Sequence, residues 1–162
     1  MNASVRAFVG LGGNLGDAAA TLRAALQSLD QLPETRLLRA SQLYRTPAWG
    51  NTEQPDFVNA VALLVTTLDA RALLDGLLGI ERSFGRERRE RWGPRVLDLD
   101  LLLHGDVVID EPGLHVPHPH LTERAFVLLP LLEIDPEVIV PTYGPARAAL
   151  AALAYEGIEA VR

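Results

Sequence analysis

The chain has 162 residues, 48% of them apolar, a formal net charge of −6 and no cysteine. This predicts one domain over residues 1–162 with a sizeable core, and it excludes disulfides, thiol nucleophiles and Cys-ligated zinc. All fifteen basic residues are arginine, so sites that depend on a lysine (a P-loop, a protein-kinase site, a pyridoxal Schiff base) are excluded as well.

The acidic balance argues against nucleic acid as a partner, and no apolar run approaches a membrane span. A cytoplasmic monomer acting on small molecules is the expectation. The charge is unevenly spread. Between residues 82 and 95 six arginines (82, 86, 88, 89, 91 and 95) stand against Glu87 and Glu90, a local +4 in a chain otherwise at −10.

Val5 to Leu11 reads as a strand that breaks at the glycine-rich run Gly10 to Gly16. Asp17 then caps a helix carrying Leu22, Ala25, Leu26 and Leu29 at helical spacing. A dinucleotide fingerprint would need glycine at position 15, where Leu15 stands, so these glycines are read as a tight turn with positive φ.

Leu37 to Tyr44 is predicted as the second strand, Thr46 to Pro55 as a loop, and Phe57 to Val65 as the third strand. In that strand Val58, Ala60, Ala62 and Leu64 share one face, and Phe57, Asn59, Val61 and Leu63 the other. Asn59 interrupts an apolar row, where its amide needs partners.

Asp69 caps a second helix with Leu73, Leu77, Ile80 and Phe84 on its inner face and Gly85 at its stop. Glu81 lies toward the edge of that apolar face, an unusual place for an acid. Leu97 to Leu103 is the next strand. A polar connection, a proline–histidine loop (Pro117 to His120), a helix from Glu123 to Glu133 and an alanine-rich helix from Gly144-Pro145 to about Gly157 follow.

The order β-α-β-β-α-β predicts an α+β sandwich: a ferredoxin-like antiparallel sheet with helices on one face, C-terminal additions and an open face for a site.

Strand alternation puts Leu97, Leu99, Leu101 and Leu103 toward the core and projects Asp98 and Asp100 together from the other side. Two carboxylates about 7 Å apart at Cα suit a hard divalent cation shared with phosphate oxygens. The upstream arginines suit phosphate forks, and Trp92 suits covering an aromatic ring. An isolated Asp-x-Asp would as readily be two solvent-facing carboxylates, so the surrounding residues carry the reading.

The segment Arg91-Trp92-Gly93-Pro94-Arg95-Val96-Leu97-Asp98-Leu99-Asp100-Leu101-Leu102 resembles the signature of 6-hydroxymethyl-7,8-dihydropterin pyrophosphokinases. Gly10 to Gly16, Tyr44-Arg45-Thr46-Pro47, Gln54 to Ala60, Ile80-Glu81 with Gly85-Arg86, Val116-Pro117-His118, and Arg124 with Phe126 agree in order and spacing.

The resemblance implies transfer of pyrophosphate from ATP to the hydroxymethyl group of the pterin, releasing AMP, in folate synthesis. It implies that Asp98 and Asp100 bind two magnesium ions and act with Arg86 and Arg95 in catalysis. Arg86, Arg88, Trp92, Arg95, His118 and Arg124 would contact ATP. Thr46, Pro47, Trp49, Phe57, Asn59, Trp92, Asp98 and Phe126 would surround the pterin, with the ring between Phe57 and Phe126. The loops 46–55 and 85–94 are expected to close over ATP.

His118-Pro119-His120 lacks a third zinc ligand at suitable spacing, and His104, His115 and His120 are expected to be surface residues. A metal-dependent phosphohydrolase or an ATP-binding module built on the same carboxylate pair is the competing reading.

Overall fold

A computed structural model describes residues 3–47, 55–85 and 96–161. In chain order the elements are β1 (Val5–Gly13), α1 (Ala18–Asp30), β2 (Thr35–Ala40), β3 (Leu43–Thr46), β4 (Phe57–Thr66), α2 (Ala70–Ser83) and β5 (Asp98–His104). Then come a hairpin of β6 (Ile109–Glu111) and β7 (Leu114–Val116), a 3-10 turn (Leu121–Glu123), α3 (Ala125–Ile134), a second small ladder of β8 (Ile139–Val140) and β9 (Gly144–Pro145), α4 (Ala146–Ala151) and β10 (Glu159–Val161).

The main sheet runs β10-β3-β4-β1-β5, with β2 also on β4, and every pairing is antiparallel. In βαββαβ terms the spatial order is fourth, first, third, second strand, the ferredoxin-like arrangement expected.

The predicted caps form. Asp17 accepts the Ala20 N–H at 3.1 Å and Asp69 accepts that of Ala72 at 2.8 Å. Each satisfies a donor that the first helical turn leaves without an intrahelical partner.

One face of the sheet, with Ala7, Val9, Leu11, Val58, Ala60, Ala62, Leu64, Leu99 and Leu101, packs on α1 and α2 through Leu22, Leu29, Leu73 and Leu77. The other face is not left open as expected. Phe8, Val61, Leu63 and Leu102 pack beneath α3 through Val127, Leu128 and Leu131, and beneath α4 through Ala146 and Ala149. Those C-terminal additions cover only part of that face. No described helix is long and apolar enough to cross a membrane.

Four local expectations are corrected. The strand read as Leu37 to Tyr44 is two strands, β2 and β3. Ala40 faces Ala62 but Tyr44 faces Asn59, so this side carries one extra residue. At the break the Ser41 N–H donates to the Val61 carbonyl, and Ser41 Oγ accepts the Val61 N–H at 2.9 Å, a side chain standing in for a ladder carbonyl.

The glycine run does not break the first strand at Gly10, because β1 continues to Gly13 and only Gly16 in that run has positive φ. Leu103 joins Phe8 and Leu102 on the α3 face, since an irregularity between Phe8 and Val9 slips the β1–β5 register by one residue. The final helix stops at Ala151, and the chain ends instead in β10, which pairs with β3. Gly157, at φ +79°, turns the chain in a conformation that a right-handed helix does not use, and β10 follows it.

Candidate active site

On the face packed by α3 and α4, the uncovered end of the sheet holds a cleft of about 520 Å³. Its floor is β1. Gly10 and Gly12 lie opposite Asp100 and Asp98 on one side, and Gly12 lies opposite Asn59 on the other. Cross-strand partners point to the same face, so Asn59, Asp98 and Asp100 meet over the glycines.

Gly12 makes the approach of Asn59 possible. A Cβ on residue 12 would lie 2.9 Å from Asn59 Oδ1, closer than real Cβ contacts allow. The glycine's use is therefore a bare floor rather than a turn. The sequence signal was present, as glycines at alternate positions of a strand sit beside a lone polar residue in an apolar row.

Thr46 and Pro47 at the end of β3, and Phe57 at the start of β4, form one wall. Asn59 is buried at 8% exposure, and its Nδ2 lies 3.4 Å from Thr46 Oγ1 as a long hydrogen bond. Asn14, also buried, donates to the Pro55 carbonyl at 3.1 Å and ties the β1–α1 connection to the chain entering Phe57. Phe126 and Val127 from the first turn of α3 form the opposite wall, with the Arg124 guanidinium carbon 5.8 Å from the Phe126 ring centre. Tyr44, outside the cleft, donates to Glu133 on α3, which also accepts the Gln42 N–H.

His118 enters on the β7–α3 connection, its N–H bonded to the Leu102 carbonyl of β5 at 2.9 Å. Burial, then the neighbouring charge of Arg124 and the other histidines, lowers its pKa to about 4. The ring is neutral at pH 7, so its 4.0 Å approach to Asp100 Oδ1 is not an ion pair there. Nδ1 accepts the His120 N–H at 3.1 Å, which assigns the ring proton to Nε2, the atom nearer Asp100.

His118 and His120 do not act as a pair. Their rings are 6.0 Å apart and tilted, and His120 Nδ1 instead meets Glu123 at 2.9 Å. His115 pairs with Asp110 across the β6–β7 hairpin. His104 is not a surface residue. It is buried, with Nε2 2.8 Å from the Leu68 carbonyl, fastening the end of β5 to the turn before α2.

Asp98 and Asp100 project side by side into the cleft, and Asp100 is 47% exposed and accessible to a ligand. No group of three or more metal-ligating side chains occurs among the described residues. The carboxylate pair nonetheless fits magnesium, which keeps several waters and takes substrate phosphate oxygens rather than an all-protein cage.

Of the residues singled out from the sequence, Thr46, Pro47, Phe57, Asn59, Asp98, Asp100, His118, Arg124 and Phe126 all line this one cleft. Trp49, Arg86, Arg88, Trp92 and Arg95, with most of both flanking loops, lie outside the described residues.

Comparisons with known proteins point to one family. Residues 8–136 match the 7,8-dihydro-6-hydroxymethylpterin-pyrophosphokinase (HPPK) family. The chain is 47% identical over 154 residues to the 2-amino-4-hydroxy-6-hydroxymethyldihydropteridine pyrophosphokinase of Pseudomonas aeruginosa, covering 95% of each protein. It is 44% identical over 156 residues to the protein of the same name from Methylorubrum extorquens, covering 96% of this chain and 98% of that one. Among solved structures, wild-type Plasmodium falciparum HPPK-DHPS with pteroate superposes with a TM-score of 0.73 at 16% identity, over 93% of this chain. The match spans 42% of that longer chain and speaks for the fold.

Proposed function

The chain belongs to the 7,8-dihydro-6-hydroxymethylpterin-pyrophosphokinase family, and we infer that it transfers the diphosphoryl group of ATP to the hydroxymethyl oxygen of 6-hydroxymethyl-7,8-dihydropterin in folate biosynthesis. The observation that carries this reading is the meeting, in one cleft, of the Asp98/Asp100 pair with Phe57, Asn59 and Phe126. A phosphate-handling site and an aromatic-ring site adjoin.

The pterin stacks between Phe57 and Phe126, whose faces favour an offset arrangement. Asn59 and Thr46 supply donors and acceptors for the ring's polar edge, with Pro47 and Trp49 beside it. ATP lies toward His118 and Arg124. The neutral His118 offers its Nε2–H, and the Arg124 fork offers charge to phosphate oxygens. Arg86, Arg88, Trp92 and Arg95 complete the nucleotide contacts in this reading.

Two magnesium ions held by Asp98 and Asp100 would supply charge neutralisation along the triphosphate. Asp98 and Asp100 thereby orient the nucleotide, while Arg86 and Arg95 stabilise charge that spreads in the transition state. The hydroxymethyl oxygen forms a bond to the β-phosphorus as the bond from that phosphorus to the α–β bridging oxygen breaks. AMP leaves with the bonding electron pair, and the hydroxyl proton passes to solvent or to Asp98.

Closure of the 46–55 and 85–94 loops would exclude water that competes for the phosphoryl group. A cytoplasmic monomer remains part of the proposal.

Turnover with ATP, magnesium and the hydroxymethyl pterin tests the reading. AMP and pterin diphosphate should form together, and only with the pterin and the metal both present. ADP, free phosphate or no turnover from a folded protein would overturn it. The phosphohydrolase alternative has no use for the Phe57/Asn59/Phe126 wall and draws no support from the family.

A further inference from the structure

Glu81 is placed where an acid should be disfavoured. It is 4% exposed, it lies among the core-facing residues of α2, and it sits in that helix's last turn, where the macrodipole opposes negative charge. The residue stands there despite all three effects, and its Oε2 accepts the Leu99 N–H at 2.7 Å.

Leu99 lies between Asp98 and Asp100. In an antiparallel ladder, successive residues turn their backbone groups alternately toward and away from the partner strand. Leu99 gives its N–H to α2, so Asp98 and Asp100 are the residues whose backbone groups face Gly12 and Gly10 on β1. β5 ends the sheet order on this side, and among the described strands none pairs with its outer edge at Leu99. The Glu81 carboxylate occupies the place of the missing ladder acceptor, in a charge-assisted bond shorter than a usual amide pair.

We propose that Glu81 is a positioning residue for the Asp98/Asp100 pair: by gripping the Leu99 N–H from beneath, it holds the edge strand so that both carboxylates project together into the cleft. The proposal rests on the reading of that pair as the metal-binding centre. Its logic is that of outer-shell partners elsewhere, which orient ligating groups and whose loss typically costs about 10–100-fold in metal affinity or activity. A buried Leu99 N–H without an acceptor would either pull water into the core edge or let β5 twist away from β1. Both responses would change the relative aim of two side chains that must share one ligand.

The test reads metal binding directly, so it stands apart from the turnover assay. Manganese binding to the full chain, with a non-hydrolysable ATP analogue present, is followed by the paramagnetic signal of free ion for wild type, Glu81→Gln and Glu81→Ala. Amide exchange at Leu99 is measured in parallel.

Glu81→Ala should weaken manganese binding roughly 10–100-fold and speed Leu99 exchange, while Glu81→Gln, which keeps an acceptor oxygen, should recover most of both. Pterin affinity, read by its own fluorescence, should fall less than manganese affinity in both variants, because Phe57, Asn59 and Phe126 are untouched and Asp98 alone among the described pterin-lining residues is re-aimed. Unchanged manganese affinity in a folded Glu81→Ala overturns the proposal. Equal weakening in Glu81→Gln overturns it too, because charge and not the hydrogen bond would then be responsible. Should Glu81→Ala fail to fold, Glu81→Gln decides alone: manganese affinity and Leu99 protection near wild type support the proposal, and loss of either sinks it. Loss of turnover in the wild-type protein with intact metal binding would instead count against the proposed reaction.

Discussion

Gly12 and Asn59 face each other across the β1–β4 ladder so closely that a methyl group on residue 12 would stand 2.9 Å from Asn59 Oδ1. The position of the Asn59 amide therefore depends on the absence of a side chain on the neighbouring strand. Gly12→Ala should push the amide off its present site and weaken pterin binding roughly 10–100-fold, equivalent to about 1.4–2.8 kcal/mol. ATP-analogue binding should change little. Fluorescence titration with the pterin checks this, and an unaltered dissociation constant would show that Asn59 does not read the ring edge.

Removing either carboxylate of the metal pair should abolish most turnover. Asp98→Asn and Asp100→Asn are each expected to lower kcat roughly 10³-fold, the equivalent of about 4 kcal/mol of lost charge stabilisation. Stripping divalent metal from the wild type should have the same effect. If excess magnesium fully restores Asp98→Asn, metal binding is that residue's only required role, and uptake of the hydroxyl proton falls away.

His118 makes a pH prediction. Its folded pKa of about 4 lies below the ordinary histidine value of roughly 6.5, so between these limits the unfolded chain holds a proton that the folded protein does not. Its contribution to stability is complete above about pH 6.5 and is eroded as pH falls toward 4. Denaturation of the metal-free protein at pH 7 and pH 4.5 should show wild type losing more stability than His118→Gln. Parallel losses in the two proteins would mean that the ring titrates normally.

Ser41→Ala removes the hydroxyl that accepts the buried Val61 N–H. An unmet donor of this kind costs about 1–3 kcal/mol, and for a chain of this size each kcal/mol lowers Tm by roughly 2–4 °C. Calorimetry should register that drop, with kcat per folded molecule preserved. No change in Tm would mean that the bulge repairs its ladder without the side chain.

Much of the site was legible because strand periodicity is strict. Phe57 and Asn59 were assigned to the face away from Val58 and Ala60, and Asp98 and Asp100 to the face away from Leu99, as observed. The side of a strand that a residue occupies follows from its parity alone. Parity fails only where a residue is inserted, and nothing local to Leu102-Leu103 or to Ser41-Gln42 announces a slipped register. His104 was misread for a related reason. Its partner is a carbonyl thirty-six positions away, and a histidine at a strand end looks the same whether water or Leu68 meets it.

Residue order by itself determined the helix caps, the alternation of the main strands, the βαββαβ plan, the donor chemistry of the carboxylate pair and the family signature around it. Each of these depends on neighbours within a few positions along the chain, where steric and hydrogen-bonding preferences act directly. Only the tertiary structure decided that α3 and α4 cover part of the second sheet face, that Gly12 is a floor for Asn59, and that Glu81 reaches under β5 to Leu99. Those relationships join residues from separate elements. They exist only once the strands are in register and the helices have packed, because a cavity and a buried hydrogen bond belong to the closed core and not to any one segment of it.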